Sequence, residues 1–429
     1  MTAAEAAPSD RSRDPAVRPP VVLVADAMDP AGVEILEQAG LEVRVRTGLE
    51  PEALLEAVDD VDGILVRSSS TIGPEVFARA GRLRAIGRAG IGVDNIDVAA
   101  ASKHGVLVMN TPTANATTTA ELAIAHLFGL ARHLQTAQAS MAAGRWDKKQ
   151  LVGHEVTGKT LCVVGLGKIG RIAAERGLGL RMEVIAYDPF LTGESPVPGV
   201  DLVDLDTALA RADFVTIHVP KSAETTNLFD AARLAQMKPG ACLINCARGG
   251  IVEEAALLEA LRTGRLAGAA LDVFENEPLA ADSPLRGAPN LMLTPHLGAS
   301  SEEAQQRVST EIARQMADYL LVGEARCALN APSLSAEELS VLRPWLALCR
   351  AAGSLLAQVA DSPVVRLEIA RRGSLADQRG EALRLAAVAG VLTPSLDGPV
   401  NDVNAEALAT ERGLEVLELG AKQSWHSGK

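Results

Sequence analysis

Cysteine is scarce: five residues in 429, at Cys162, Cys242, Cys246, Cys327 and Cys349, with no CxxC pair and no Cys/His metal spacing. So few thiols in apolar surroundings argue against a disulfide framework or a zinc centre, and they fit a reducing cytoplasm. No stretch reaches the roughly 20 uninterrupted apolar residues needed to span a bilayer. Residues 1–20 lack the apolar run of a signal sequence and read as a disordered tail. Positive charge is also in deficit, with 41 Lys and Arg against 54 Asp and Glu and a formal net charge of -13. Binding to nucleic acid or to a membrane surface needs a basic face, so both are disfavoured as partners. Any small anionic ligand must be met by a local cluster of cations. No tandem repeat or low-complexity block is present.

What the chain does have is an alternation of short Val, Ile and Leu runs with helix-length segments. Runs at 21–25, 63–67, 83–87 and 105–109 form one series, and runs at 161–165, 183–188, 213–219, 242–246, 269–273 and 291–294 form a second. Strand, helix, strand repeated in this way predicts doubly wound parallel sheets, and ten strands predict two of them. The segment Thr111 to Gly158 is helical in pattern and marks a domain boundary, with its threonines and Asn115 placed to cap a long helix. Past residue 330 the texture changes to a small α+β segment: helix 344–360, strand 364–371, helices 380–391 and 402–412, and strand 414–419.

The strongest local signal is VVGLGKIG. Gly165, Gly167 and Gly170 form GxGxxG directly after a strand, opening a helix near Lys168 and Ile169. Asp188 ends the next strand, 18 residues beyond Gly170, where a carboxylate accepts the adenosine ribose hydroxyls and repels a 2′-phosphate. The pair predicts NAD. A hydride acceptor at this edge needs a substrate alcohol and an acid/base for its proton. Of the seven histidines, His104, His126, His133 and His154 read as surface or helix-packing residues, His426 lies in the tail, and His218 lines the cofactor crevice. His296 in TPHLGAS, directly after the last strand, is left as the acid/base. Upstream, ALDVFENEP offers Asp272, Glu275 and Glu277 as its carboxylate; Glu277 is preferred because the chain turns at Pro278. Arg248, in NCARGGIVEE, follows a strand and precedes a Gly-Gly break, where its planar fork suits a substrate carboxylate.

Taken together, GLGKIG, YDP, NCARGGIVEEAAL, ALDVFENEP and PHLGAS resemble the D-isomer-specific 2-hydroxyacid dehydrogenases. VADAMDPAGVEIL, GRAGIGVDNID, MNTPTANATTTAELA and GRWDKKQLVGHEVTGKTL narrow the resemblance to the branch of that family that oxidises D-3-phosphoglycerate. The likeness covers roughly residues 21–330. It implies a catalytic trio of Arg248, Glu277 and His296, Asp272 near the nicotinamide carboxamide, and Gly165 to Gly170 under the pyrophosphate. Residues 21–110 with 297–330 are implied to form a flavodoxin-like substrate-binding lid domain, and 111–296 the Rossmann NAD domain. The 130–158 arm is implied to cross to a partner subunit in a homodimer or homotetramer.

A phosphorylated substrate needs phosphate ligands. Arg67 and Ser68 in VRSSS, Arg88 and Gly90 in GRAGIG, and Asn110 in MNTP all lie at strand ends. The resemblance implies that Arg67, Arg88 and Asn110 meet the substrate's phosphate or carboxylate. The implied reaction is NAD-dependent oxidation to 3-phosphohydroxypyruvate, the first step of phosphorylated L-serine synthesis. The alternatives are a glycerate, hydroxypyruvate or other D-2-hydroxyacid dehydrogenase, and, from another class, an NAD-sensing corepressor. Residues 331–429 resemble the beginning of the intervening domain found in long members. They leave no length for a serine-sensing ACT domain, so insensitivity to serine is the expectation.

Overall fold

Runs of Val, Ile and Leu bounded by Gly, Pro and Asp become the strands of two all-parallel sheets. The computed structural model describes residues 18–375, 380–396 and 398–419. The expected tail up to residue 17 and His426 lie outside these residues, while Arg18 is ordered and pairs with Asp60 at 3.3 Å. Two compact units emerge, one from the segments up to Pro112 and from Gln306 onward, the other Thr113–Gln305. Residues 297–305 thus group with the second unit.

In the first unit β1 (Val21–Val24), β2 (Glu42–Val45), β3 (Gly63–Val66), β4 (Ala85–Arg88) and β5 (Leu107–Asn110) form a sheet of order β2-β1-β3-β4-β5. The chain reverses direction across the sheet between β1 and β3, so the crevice at their carboxyl ends is where a doubly wound sheet binds ligands. The second unit holds β6 (Thr160–Val164), β7 (Glu183–Tyr187), β8 (Val200–Leu202), β9 (Phe214–Ile217), β10 (Ala241–Asn245), β11 (Leu266–Leu271) and β12 (Leu291–Leu293). Their order, β12-β11-β10-β9-β6-β7-β8, is that of a Rossmann sheet with one added strand, and its switch point lies between β6 and β9.

All ten expected strands are present, and β2 and β8 are additional. Both are sheet edges, and their sequences EVRV and VDL carry charges with only one buried residue between them. Strands covered on both faces read as continuous apolar runs, and so do the edge strands β5 (LVMN) and β12 (LML), whereas the charged β2 and β8 do not, so periodicity passes over them. The stretch expected to be helical from Thr111 to Gly158 resolves into Ala116–Ala131, Leu134–Ala142 and a short 3-10 turn at Lys148–Gln150, followed by chain without regular secondary structure and a turn. Asn115 occupies the N-cap position but makes no side-chain capping bond there.

Beyond residue 330, β13 (Arg366–Ala370) and β14 (Glu415–Leu419) pair in parallel, and helices span Ala336–Val359, Gly380–Leu392 and Ala405–Glu411. The first of these starts eight residues before the expected Pro344, because Ser335 and Glu338 form a reciprocal capping box and Pro344 is carried inside the helix. It packs closely on Gly380–Leu392: a Cβ on Gly353 would lie 2.3 Å from the Ala387 carbonyl oxygen, and one on Gly390 would lie 2.2 Å from that of Arg350. Among the described residues no helix is long and apolar enough to cross a membrane.

Candidate active site

The cofactor end of the seven-stranded unit is built from three glycines with different tasks. Gly165 has φ +93, a left-handed conformation that a side chain would strain, and a Cβ there would lie 2.9 Å from the His218 backbone. At Gly170 a Cβ would fall 1.9 Å from the Gly165 carbonyl oxygen, so this position seats the helix Lys168–Gly179 against the turn. Gly167 caps that helix without any side-chain bond and faces open space, with nothing within 4 Å of a Cβ. An uncapped helix N-terminus reached through a side-chain-free position fits a pyrophosphate, so the residues present suit a dinucleotide.

Asp188, just past β7, accepts the Leu166 N–H at 2.9 Å with Oδ2 and the Phe190 N–H at 3.0 Å with Oδ1. Each oxygen keeps a second lone pair for a ribose hydroxyl. His218, just past β9, holds Thr216 Oγ1 at 3.0 Å with Nε2. Burial pushes its imidazole down to about 4, so it is neutral near pH 7 and cannot supply a titration there.

Arg248, Glu277 and His296 follow the carboxyl ends of the neighbouring strands β10, β11 and β12. His296 Nδ1 and Glu277 Oε2 are 2.6 Å apart. Of the three carboxylates weighed from the sequence, Glu277 is the one brought to the imidazole. The other two serve elsewhere: Glu275 is exposed and its backbone N–H donates to Glu254, and Asp272 is fully buried, its carboxylate on the loop after β12. Burial works to raise the Glu277 pKa, but the hydrogen bonds from His296 and from the Phe274 N–H, with Arg248 nearby, outweigh it and hold the carboxyl below its ordinary value. Glu277 is therefore ionised near pH 7. With Nδ1 committed to the carboxylate, Nε2 is the ring nitrogen left to exchange a proton.

Asp272 does a task that sequence reasoning did not find. Its carboxylate accepts the Leu297 N–H at 2.7 Å, the Gly298 N–H at 2.9 Å and the Thr294 hydroxyl at 2.6 Å. Its carbonyl also accepts the His296 N–H at 2.9 Å. These bonds hold His296 at φ +54, a left-handed conformation that costs a non-glycine residue about 1–2 kcal/mol. Thr294 spends its one proton on Asp272, so the buried His126, 3.1 Å away, must donate from Nε2. No motif in the sequence linked His126, in a helix, to this loop.

Arg248 follows β10, half-buried, with its Nη1 donating to the Ala247 carbonyl at 2.7 Å. Asn245 shapes that turn, accepting the Ala247 N–H at 3.0 Å and donating to the Arg248 carbonyl at 3.0 Å. Gly249 lets the turn lie on the next one, since a Cβ there would sit 1.7 Å from the Phe274 carbonyl oxygen. Only glycine allows this approach, and it places the Arg248 charge near enough to act on Glu277.

The five-stranded unit carries its own row of polar groups. Val66 pairs with Arg88 and Arg88 with Asn110, so Arg88 and Asn110 lie level at the carboxyl edge, on strands about 4.8 Å apart, and Arg67 stands one residue beyond that level on the next strand. Burial pulls the Arg67 guanidinium below its ordinary range, an effect that Asp26 opposes. Exposed Ser68 follows it. The Arg88 guanidinium lies over Gly90, where a Cβ would meet Nη1 at 1.5 Å. Asn110 donates to the Ile91 carbonyl at 2.6 Å, fixing the same loop.

Comparison with known proteins places these features in one group. The family profile described as D-isomer specific 2-hydroxyacid dehydrogenase, NAD binding domain, matches residues 124–298, and that of the D-3-phosphoglycerate dehydrogenase intervening domain matches 341–427. A D-3-phosphoglycerate dehydrogenase of Synechocystis is 45% identical over 399 residues, covering 92% of this chain and 72% of that protein. One from Mycobacterium tuberculosis is 43% identical over 407 residues, covering 94% and 76%. Among solved structures, an NAD-dependent formate dehydrogenase of Staphylococcus aureus in complex with NAD is 29% identical, with a TM-score of 0.65 over 71% of this chain and 97% of that one.

The position of Asp188 generates a test of cofactor choice. NAD is expected to be preferred over NADP, and Asp188→Ser is expected to narrow that preference when steady-state rates are compared with both cofactors. Equal use of the two by the unaltered protein would show that Asp188 does not read the ribose.

Proposed function

The chain belongs to the D-3-phosphoglycerate dehydrogenases of the D-2-hydroxyacid dehydrogenase family, and from that premise we propose the roles its residues play in oxidising D-3-phosphoglycerate to 3-phosphohydroxypyruvate. The observation that carries this reading is the Glu277–His296 contact at 2.6 Å, at the edge where the Arg248 turn also lies.

A bound NAD would supply the acceptor for the C2 hydride, and the C2 hydroxyl proton must go elsewhere. His296 Nε2 accepts it. The ionised Glu277 steadies the imidazolium that results and keeps Nδ1 protonated. Arg248 grips the substrate carboxylate with two parallel N–H donors and polarises the C2 oxygen as the carbonyl forms. Asp272 supports the nicotinamide end through the 294–298 loop. Gly165, Gly167, Lys168, Ile169 and Gly170 receive the pyrophosphate, Asp188 the ribose, and neutral His218 lines the crevice. Arg67, Ser68, Arg88, Gly90 and Asn110 take the phosphate, two guanidinium charges offsetting the overall negative charge of the protein.

We also propose that the working form is a homo-oligomer joined through the 130–158 arm. The support is a run of exposed apolar side chains there: Leu134 53%, Met141 55%, Trp146 78% and Val152 74% exposed. A sedimentation mass equal to a single chain would contradict this. The reading places the enzyme in the cytoplasm, in keeping with five free thiols.

The reaction itself is tested by initial rates with NAD on 3-phosphoglycerate, glycerate, lactate and 2-hydroxyglutarate. The phosphorylated acid is expected to win clearly. His296→Ala is expected to lower turnover on it by about a hundredfold or more, with NADH affinity nearly intact, and Arg248→Lys to fail as well because an ammonium lacks the planar fork. Normal turnover in either variant, or no preference for the phosphorylated acid, would defeat the assignment.

A further inference from the structure

Asp26, directly after β1, is 2% exposed and has no part in the chemistry described above. Four donors reach it from one short stretch of chain. Oδ2 accepts the backbone N–H of Arg67 at 2.6 Å, Ser69 at 3.1 Å and Ser70 at 3.2 Å, and Oδ1 accepts the Ser70 hydroxyl at 2.7 Å. The same stretch is pinned from its other side by Asn95, whose Nδ2 donates to the carbonyls of Arg67 at 2.8 Å and Ser70 at 2.6 Å. The neighbour of Asp26 completes the arrangement: the Ala27 carbonyl accepts Arg67 Nη1 at 3.3 Å. Residues 26 and 27 therefore fix both the backbone and the guanidinium of Arg67. They do so at the ends of β1 and β3, the two strands that flank the switch point of this sheet.

We infer that Asp26 is a positioning residue for the anionic end of the substrate, holding loop 67–70 so that Arg67 presents its donors in one fixed orientation. The inference rests on the proposed role of Arg67 as an anion ligand. Two effects of the buried carboxylate oppose each other. Its charge lies behind a loop that is to meet an anion, which by itself weakens binding. Its hydrogen bonds order the loop beforehand, so the substrate does not have to bear that ordering cost on binding. Three backbone N–H groups and a hydroxyl already screen the charge at short range, so the ordering effect dominates.

The two effects differ in sign under the isosteric change Asp26→Asn. Loss of order raises KM for 3-phosphoglycerate, whereas relief of repulsion lowers it. The expected result is a KM raised by about tenfold, the scale of a lost hydrogen bond to a charged group, with kcat and the NADH dissociation constant little changed. In an Arg67→Ala background the same change is expected to add almost nothing, because Asp26 acts through Arg67. A lowered or unchanged KM, or an equal rise in the Arg67→Ala background, overturns the inference. If Arg67→Ala alone leaves KM unaltered, the anion-binding role of Arg67 falls and takes this inference with it. If Arg67→Ala raises KM and Asp26→Asn does not, only the inference about Asp26 falls. Should Asp26→Asn fail to fold, Ser70→Ala removes the 2.7 Å bond alone. It is expected to raise KM by about threefold, in line with one neutral partner lost, and an unchanged KM there is equally fatal.

Discussion

The contact between Glu277 and His296, 2.6 Å long, is what the rest of the seven-stranded unit is arranged to deliver. It joins the ends of two neighbouring strands, and each partner needs its own support. Glu277 is held by the Phe274 N–H at 3.0 Å within its own turn. His296 is held in a left-handed backbone conformation by the carboxylate and carbonyl of Asp272. Without those bonds the loop would relax to an ordinary conformation and carry the imidazole away. The same constraint explains Gly249, since any side chain there would push the Arg248 turn off the turn that bears Glu277.

Electrostatics of opposite sign are segregated by depth. The chain is negative overall, at -13, yet Arg67 and Arg88 both stand at the carboxyl edge of the five-stranded sheet. Asp26, which bonds the Arg67 backbone, is buried and met by four donors, so it shapes the loop while its charge is largely met. An acid at the same distance but exposed would compete with an anionic substrate for the guanidinium. Placing the carboxylate behind the backbone avoids that competition.

Much of this was legible in the sequence, for physical reasons that also explain what was not. Ten strands announced themselves as apolar runs, the edge strands β5 and β12 among them, while the edge strands β2 and β8 carry charges and did not. The GxGxxG turn and the place of Asp188 just past β7 were readable because a tight strand-to-helix turn and the next strand end leave fixed spacings. Glu277, His296 and Arg248 were readable because each stands just beyond a strand end. Asp26, Asn95, Asn245 and the His126–Thr294–Asp272 chain were not readable, since each acts through partners distant in sequence, as Asp26 does across 41 residues to Arg67. The start of the helix Ala336–Val359 was missed for the opposite reason: Pro344 reads as a beginning, and the stronger local signal, Ser335 with Glu338, lies upstream of it.

The central claim, that ionised Glu277 supports the proton that His296 accepts, is tested most directly by turnover in Glu277→Gln. Oxidation leaves a proton on the imidazole, and a carboxylate against Nδ1 steadies the charge that results. The Glu277 carboxyl is held below its ordinary value, so it is ionised near neutral pH in the unaltered protein. Removing that charge is expected to lower kcat for oxidation by about tenfold or more, the scale of a lost hydrogen bond to a charged group, with the NADH dissociation constant little changed. An unchanged kcat would contradict the account.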